Sequence, residues 1–292
     1  MKNFARDHFQ STLAAKKGGG GFEVPQDQAS AHDLLLRNLA NHKARLKQVQ
    51  SIEEKIAYKN RAFSEFSAWV SGVLAADRGG QDPIIVHMLV WMLDIGDFAS
   101  GLEIGDYVLK HGLHMPDEYN RTPATVIADI IADASLKALD IEKLIDLDAV
   151  LRTIALTDGH DMPDQVRAKL HKAAGLALMP KDLPTDYTPE SAEPVLAALK
   201  HLLRAFELFV NVGVKKPLDR AKKYADDYHK REAEEAVNAK ATAAQLEPEP
   251  DTTREEGKTG AQNGVEIAGS ISGAVPEGGE GSPPSETPNP SP

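Results

Sequence analysis

The sequence predicts an all-α protein built from helical hairpins, and three observations lead to that prediction. Between residues 30 and 237, apolar residues recur at the three- and four-residue spacing of amphipathic helices. No segment of useful length alternates apolar and polar residues as a strand does. Pairs of residues that favour a helix start, Asp82-Pro83 and Thr122-Pro123, stand directly before two of the apolar runs.

The N-terminal part is predicted to be a flexible basic arm, residues 1–29, followed by a long helix. Four consecutive glycines at positions 18–21 oppose helix formation in the arm. The long helix begins after Ser30 and runs to about Asn60, with a heptad-like apolar seam at Leu35, Leu39, Leu46, Val49 and Ile56. This seam fits two interpretations, a helix packed on its own domain and an oligomerising coiled coil. A second helix is predicted at about 62–76.

Residues 83–112 are predicted to fold as a hairpin of two helices. The run Ile84–Ile95 is apolar on nearly all sides, which is typical of a buried helix. Gly96-Asp97-Phe98 interrupts it, and in the second helix Gly101 and Gly105 are small enough to let the two helix axes approach closely. The pattern is tetratricopeptide-like, although an ordinary helical hairpin explains a single unit equally well.

Further helices are expected up to residue 237, at about 123–139, 141–156, 163–178, 191–212 and 217–237. Residues 238–292 are rich in Gly, Pro, Ser, Thr and Glu and contain almost no large apolar residues. Such a segment cannot bury enough apolar surface to fold, so it is predicted to be a disordered acidic tail. Between the arm and the tail, we predict N-terminal helices for DNA binding or oligomerisation at 30–78 and a helical-hairpin domain at 79–237.

Charge is distributed unevenly along the chain. The net charge is −11, yet residues 1–60 carry ten Lys and Arg against six Asp and Glu, whereas residues 238–292 carry three against nine. A basic N-terminus on an acidic body is the asymmetry expected of an anion-binding end. The sequence has no cysteine, which excludes disulfides and cysteine-ligated metal sites. No apolar run approaches the ~20 residues of a membrane span and no secretory signal is recognisable, so a cytoplasmic location without membrane contact is expected.

The residues predicted to bind DNA lie in this basic N-terminal region. Lys16 and Lys17 stand beside the glycine run and can follow a phosphate backbone. Four further cations lie on the first long helix: Arg37, Lys43, Arg45 and Lys47. Contacts of this kind give a salt-sensitive affinity with little sequence information. A solvated helix face accounts for the same charges, and no helix-turn-helix recognition helix is recognisable.

The sequence contains no Walker A loop, dinucleotide-binding fingerprint or nucleophile elbow. Carboxylates that could hold Mg²⁺ for DNA cleavage do occur at helical spacing. They are Asp94, Asp97, Glu103 and Asp106 in the hairpin, and Asp129 and Asp133 in a later helix. Helix capping and solvated helix faces explain them more simply, and the histidines His111, His114 and His160 do not form a zinc signature. No catalytic residue or metal ligand is therefore assigned, and Mg²⁺ is expected as a cofactor only if the chain is itself a nuclease.

Four separated segments, at 90–116, 121–123, 162–172 and 213–216, carry a resemblance to a known family. In this order they resemble segments of the small terminase subunit of cos-type temperate tailed phages, and the similarity extends over roughly residues 30–230. The family is also called the endonuclease subunit, because it directs cleavage at the cohesive-end site before packaging. The resemblance implies a packaging initiation factor that binds phage double-stranded DNA and the terminase large ATPase subunit, forms homo-oligomers and acts in the host cytoplasm.

Three hypotheses for the function follow. In the first, the chain binds viral DNA and directs cohesive-end cleavage by recruiting the large subunit. In the second, it is itself an endonuclease whose Mg²⁺ is held by carboxylates such as Asp94, Asp97 or Asp129. In the third, it is a helical-repeat adaptor for other proteins and has no DNA role. The acidic tail is interpreted either as a solubilising extension or as a competitor of DNA for the basic arm.

Overall fold

A computed structural model describes residues 8–12, 26–116 and 119–245, and every regular element within these ranges is helical. The predicted all-α fold class is therefore confirmed. Beyond the short helical segment at 8–12, the elements are α1 (Gln26–Gln48), α2 (Ile52–Phe63), α3 (Ser67–Ala76), α4 (Pro83–Ile95), α5 (Phe98–Lys110), α6 (Pro123–Asp140), α7 (Leu147–Leu156), α8 (Asp164–Leu178), α9 (Pro189–Leu208), a 3-10 turn (Val210–Val212) and α10 (Lys215–Gln245). The described residues up to Ala243 form one compact unit.

The single helix predicted from Ser30 to about Asn60 is wrong, because the chain divides it in two. α1 ends at Gln48, and Ser51 caps α2 by accepting a hydrogen bond from the backbone N–H of Glu54 at 3.3 Å. Three leucines of the predicted seam, Leu35, Leu39 and Leu46, are buried in the core of their own chain. The structure thus agrees with the interpretation of a helix packed on its own domain. The helix predicted at 62–76 is found as α3, which starts at Ser67.

Part of the predicted arm packs against α3. Residues 8–12 are helical, and the side chain of Gln10 is buried. Residues 26–29 of the predicted arm already belong to α1. The backbone of Ser11 lies so close to Gly72 of α3 that a Cβ at Gly72 would collide with the Ser11 carbonyl oxygen. The absence of a side chain at this position therefore permits the contact. Residues 1–7 and 13–25 of the predicted arm, which include the glycine run, lie outside the described residues.

The α4–α5 hairpin lies at the centre of the larger hydrophobic cluster. All residues of α4 from Ile84 to Leu93 are buried, as predicted for an apolar helix without a polar face. A Cβ at Gly101 would lie 2.6 Å from Leu93 Cδ2, and a Cβ at Gly105 would lie 3.0 Å from Cδ1 of Ile127 on α6. The predicted close approach of the two hairpin helices is confirmed at Gly101, whereas the tight contact at Gly105 is with α6. The tetratricopeptide-like repeat stays a prediction.

A buried polar network fixes the start of α4. The carboxylate of Asp82 accepts hydrogen bonds from the backbone N–H of Ile84 at 2.9 Å and from Nε1–H of Trp69 at 2.7 Å, and Nε2 of His32 lies 3.4 Å away. Burial raises the pKa of Asp82, but the hydrogen bonds from His32 and Trp69 outweigh it, so that the pKa lies below its usual range. The network connects α1, α3 and α4 at one point.

A second hydrophobic cluster joins α8, α9 and α10, and alanine is the most frequent of its buried residues. Its buried members are Ala168, Ala192, Val195, Leu202, Ala205, Val212, Val214, Leu218, Ala221 and Tyr224. Gly175 of α8 faces α9, where an added Cβ would lie 2.7 Å from Cγ of Leu202. α8 contributes to both clusters, since Val166 and Leu170 belong to the first. The helix α8 therefore packs on both hydrophobic clusters.

Three of the predicted boundaries in the later helices need correction. α7 begins at Leu147 rather than at 141, because the carboxylate of Asp146 caps it by accepting from the N–H of Ala149 at 2.9 Å. The helix predicted to 212 ends at Leu208, and a 3-10 turn closed by Gly213 follows. α10 continues to Gln245, so residues 238–245 of the predicted tail are helical. Residues 246–292 lie outside the described residues.

Candidate nucleic-acid interface

The six cations predicted to bind DNA do not form one surface. Lys16 and Lys17 lie outside the described residues, and the others lie on α1. At about 100° per residue, Arg37 points away from the buried leucine stripe, Lys43 and Lys47 lie on one flank of the stripe, and Arg45 lies on the other flank. Arg37, Arg45 and Lys47 are exposed, whereas Lys43 is half-buried. The helix thus presents these charges in three directions.

Lys43 is engaged inside the fold. Its Nζ lies 3.0 Å from Nε2 of the buried His87, and Nδ1 of His87 lies 2.8 Å from the carbonyl oxygen of Pro83. An ammonium group can only donate, so Nε2 accepts, and the ring carries its proton on Nδ1 and donates it to Pro83. Both nitrogens of a neutral imidazole are then satisfied. Lys43 therefore links α1 to α4, and contact with a phosphate would require it to leave His87.

The other three α1 cations face solvent. The guanidinium carbon of Arg45 lies 5.4 Å from the ring centroid of Tyr58, whose hydroxyl is 2.7 Å from Nδ1 of His42. This stacking orients the guanidinium while leaving N–H donors for a ligand. Arg37 and Lys47 make no ion pair within the part of the chain that the structure describes. Arg37, Arg45 and Lys47 are thus the α1 cations that an anion can reach directly.

Two of the four hairpin carboxylates considered for Mg²⁺, Asp94 and Asp97, are engaged within the fold. Asp94 pairs with Lys59 of α2, and Asp97 caps α5 by accepting from the backbone N–H of Ser100 at 3.1 Å. Glu103 and Asp106 are exposed on α5. The helix-capping interpretation of Asp97 is confirmed. In residues 8–12, 26–116 and 119–245, no group of three or more His, Asp or Glu side chains is arranged to hold a metal ion.

The second acidic pair is held by a lysine. Asp129 and Asp133 of α6 accept hydrogen bonds from Nζ of Lys169 on α8 at 2.7 and 2.6 Å, and Arg121 pairs with Asp129 as well. Burial raises the pKa of Asp129, but the hydrogen bond from Lys169 and the neighbouring positive charges outweigh it and lower the pKa. This ion-pair cluster connects α6 to α8.

The histidines noted in the sequence also have structural partners. Nε2 of His111 lies 2.6 Å from a carboxylate oxygen of Asp77, which pairs with Lys110 too. Hydrogen bonds from Lys110 and His111 lower the pKa of Asp77. The backbone carbonyl of His160 accepts a hydrogen bond from Arg167 at 2.6 Å. These contacts close the turns at the ends of α3, α5 and α7.

Sequence reasoning missed a dense group of cations at the start of α10. Five Lys and Arg fall within nine residues there: Lys215, Lys216, Arg220, Lys222 and Lys223. The four lysines are exposed and make no ion pair within the described ranges. We name the surface formed by these five side chains the α10 basic face. The sequence does show this group as a local cluster of Lys. Acidic residues follow in the same helix, so the helix as a whole looks mixed in charge.

A pair of histidines at the α8–α9 contact was also missed. The Nδ1 atoms of His171 and His201 lie 3.0 Å apart, so one ring donates and the other accepts. Burial, followed by the charges of His201 and Arg204, lowers the pKa of His171 to about 4. Burial and the charge of Lys200 lower the pKa of His201. The pair connects two helices whose sequence separation of 30 residues hides the contact from local patterns.

Comparison with known proteins gives a family for this arrangement. Residues 36–165 match the family model described as phage small terminase subunit. Over 197 residues the chain is 37% identical to a protein of Escherichia phage P2 named "Terminase, endonuclease subunit", and the aligned region covers 68% of this chain and 75% of that protein. No solved structure matches the chain. The matched residues 36–165 contain most of α1 and both acidic groups, whereas the α10 basic face lies beyond them.

Proposed function

The chain belongs to the phage small terminase subunit family, and we propose that it starts DNA packaging by binding viral double-stranded DNA and delivering it to the large ATPase subunit. The observation that carries this proposal is the 37% identity, over 68% of the chain, to the phage P2 terminase subunit. Membership of this family does not favour the alternative of a helical-repeat adaptor without a DNA role. Within the described residues, no helix has the length and apolar character needed to cross a membrane.

The exposed cations of α1 support a role in holding DNA. Arg37, Arg45 and Lys47 offer charge-assisted donors to phosphate oxygens, and such contacts position a duplex without reading its sequence. In this proposal the N-terminal helices grip the backbone, together with Lys16 and Lys17. Lys43 contributes by fixing α1 to α4 through His87 rather than by touching DNA.

We propose that the chain directs cohesive-end cleavage while the large subunit performs the cut. Three of the aspartates that were candidates for Mg²⁺ are bound by ammonium groups, Asp94 by Lys59 and both Asp129 and Asp133 by Lys169. Each would have to release its cation before it could ligate a metal ion. The resemblance also implies homo-oligomers, and this remains a prediction. Sedimentation of the purified chain would measure the oligomeric state.

The experiment is binding of the full-length protein to a cohesive-end DNA fragment over a salt series with Mg²⁺ present, followed by electrophoresis of the DNA. We expect an affinity that falls as salt rises, and intact DNA until the large subunit and ATP are added. Specific nicks made by the chain alone would identify it as the nuclease. Equal, negligible binding at every salt concentration would contradict the DNA role and restore the adaptor hypothesis.

A further inference from the structure

We propose that the α10 basic face is a second contact site for the phosphate backbone of duplex DNA, separate from the cations of α1. The proposal rests on the DNA-binding function proposed above and assigns part of it to a named surface. It concerns Lys215, Lys216, Arg220, Lys222 and Lys223, which lie beyond the residues that match the family model.

The face stands on a rigid base. Val214, Leu218 and Ala221 are buried in the second hydrophobic cluster and fix one side of α10. At about 100° per residue, Lys216 and Lys223 then lie on the opposite side, with Lys215 and Lys222 on one flank and Arg220 on the other. The lysines therefore project from a helix that cannot rotate away from its cluster.

A neighbouring segment places a further lysine, followed by Asp182, beside the same surface. The guanidinium of Arg220 donates to the carbonyl oxygens of Pro180 at 3.3 Å and Lys181 at 2.6 Å. This holds the segment that follows α8 against α10 and brings the exposed Lys181 beside the face. Nζ of Lys172 donates to the carbonyl oxygen of Val212 at 2.9 Å and so supports the turn from which α10 starts.

The composition of the face favours a polyanion over a protein as its ligand. Protein–protein interfaces are depleted of Lys and are centred on aromatic and apolar anchors. Between Lys215 and Lys223 the large apolar side chain, Leu218, is buried, so the exposed surface is made of ammonium groups around one acid, Asp219. Unpaired lysines on a helix are the groups that replace condensed counterions on DNA.

The dimensions of the face also suit a duplex. From Lys215 to Lys223 the helix axis advances about 12 Å, at about 1.5 Å per residue. Each DNA strand presents one phosphate per ~3.4 Å of duplex axis, so the lysines match a run of three to four phosphates. Asp226 and Asp227 follow directly and end the basic surface.

The test compares two full-length variants that lose the same charge. In one, the four lysines of the face are replaced, Lys215→Gln, Lys216→Gln, Lys222→Gln and Lys223→Gln. The control carries Lys137→Gln, Lys143→Gln, Arg152→Gln and Lys200→Gln, at exposed positions on α6, α7, α9 and the α6–α7 connection that make no ion pair within the described residues. The probe is a labelled duplex with the cohesive-end sequence, and binding is measured by fluorescence anisotropy over a salt series.

We expect the α10 variant to bind about 10- to 100-fold more weakly near 0.1 M salt, and its slope of log K against log salt to be less steep by about 3 to 4. The control variant should stay within about twofold of the wild type. Asp219→Asn, which removes the opposing charge within the face, should tighten binding by about two- to fivefold.

The outcomes separate this inference from the proposed function. If the wild type shows no salt-sensitive binding, the DNA role itself fails. If the wild type binds and both quadruple variants weaken equally, net charge alone matters and the α10 site is overturned. It is also overturned if the α10 variant binds DNA like the wild type but no longer binds the large subunit, because the face would then be a protein-docking surface. Unchanged thermal melting of both variants establishes that the exposed substitutions leave the fold intact.

Discussion

The two hydrophobic clusters of this protein are built in different ways. The first, around α4, buries large side chains such as Trp69 and Phe66 and encloses a polar network at Asp82. The second, between α8, α9 and α10, has four alanines among its ten buried members, with Gly175 against Leu202 at the helix contact. The His171–His201 pair lies at this second contact and has no counterpart among the described residues of the first.

This difference in packing gives the two clusters different roles, one in global stability and the other in positioning α10. A cluster of large apolar side chains gains its free energy from buried area, at about 25 cal/mol per Å² of apolar surface. Helices packed through alanine and glycine bury less area per residue, but their axes lie closer together and are sensitive to added volume and charge. The first cluster should therefore set global stability, while the second sets the position of α10 and its basic face.

The largest effect is expected at the polar network of the first cluster. Asp82→Ala should lower the free energy of unfolding by about 2–4 kcal/mol, because it removes a helix cap and leaves the buried Nε1–H of Trp69 without this acceptor. The matched control is Asp97→Ala, which removes an exposed cap one helix later and should cost about 1 kcal/mol. Urea unfolding measures both. Equal costs would show that burial of the network contributes nothing.

Added volume should expose the close packing of the second cluster. In Gly175→Ala the new Cβ meets Leu202 at 2.7 Å from Cγ and 3.2 Å from the backbone nitrogen, so α8 and α9 must separate. We expect a loss of about 1–3 kcal/mol, in spite of the better helix propensity of alanine.

A double-mutant cycle tests the cause of that loss. Leu202→Ala alone should cost about 2–4 kcal/mol, because Leu202 is fully buried, but it also makes room for the methyl group at position 175. The double variant should therefore be more stable than the sum of the two losses predicts. If the two losses measured by urea unfolding were strictly additive, the loss in Gly175→Ala would not come from its contact with Leu202.

The same two clusters show what the sequence reveals and what it does not. The bounds of α4 and α5 were predictable because Asp82-Pro83 and Gly96-Asp97 are local signals for a start and a stop. The break between α1 and α2 was missed because the heptad-like spacing continues across it, and only the cap made by Ser51 marks it. Local patterns thus predict the elements well where caps are strong.

Residue pairing was less accessible from the sequence than helix positions. Lys43 was a DNA-binding candidate by charge alone, whereas its partner His87 lies 44 residues away on another helix. The α10 basic face stands out only when exposure and the lack of ion pairs among the described residues are known. A cationic side chain is a candidate for DNA contact only if no other residue of the fold already binds it. Whether it has such a partner depends on the tertiary structure.

Acid should weaken the second cluster before the first. His171, with its pKa near 4, stays neutral in the fold between about pH 6.5 and 4, while an unfolded histidine takes up a proton in this range. The unfolded state then binds more protons, so stability falls as pH falls through this window. The pKa of Asp82 in the first cluster lies below its usual range, so this carboxylate is protonated only at lower pH. Arg167, Arg204, Lys200 and Asp158 also face the histidines and set the local field.

The variant His171→Gln, His201→Gln removes this titration. We expect the wild type to lose on the order of 1–2 kcal/mol between pH 6.5 and 4 through the pair, after allowance for partial solvent screening, and the variant to lose correspondingly less. Urea unfolding at several pH values measures the difference. If the free energy of unfolding of the two proteins changed with pH in the same way, the histidine pair would contribute nothing to the pH dependence of stability.

The smallest effect is expected outside both clusters, in the connection between α6 and α7. Leu144 is 100% exposed there, close in sequence to the exposed Ile141. Leu144→Ser removes no buried area from the monomer, so its melting should change by less than about 0.5 kcal/mol. Repeating the melt at low and high protein concentration makes the test sharper. A loss that appears only at high concentration would mean that a second copy covers Leu144, because mass action stabilises an associated state only when partners are abundant. The predicted homo-oligomer would then pack through the α6–α7 connection, whereas a null effect at both concentrations leaves this surface outside any such contact.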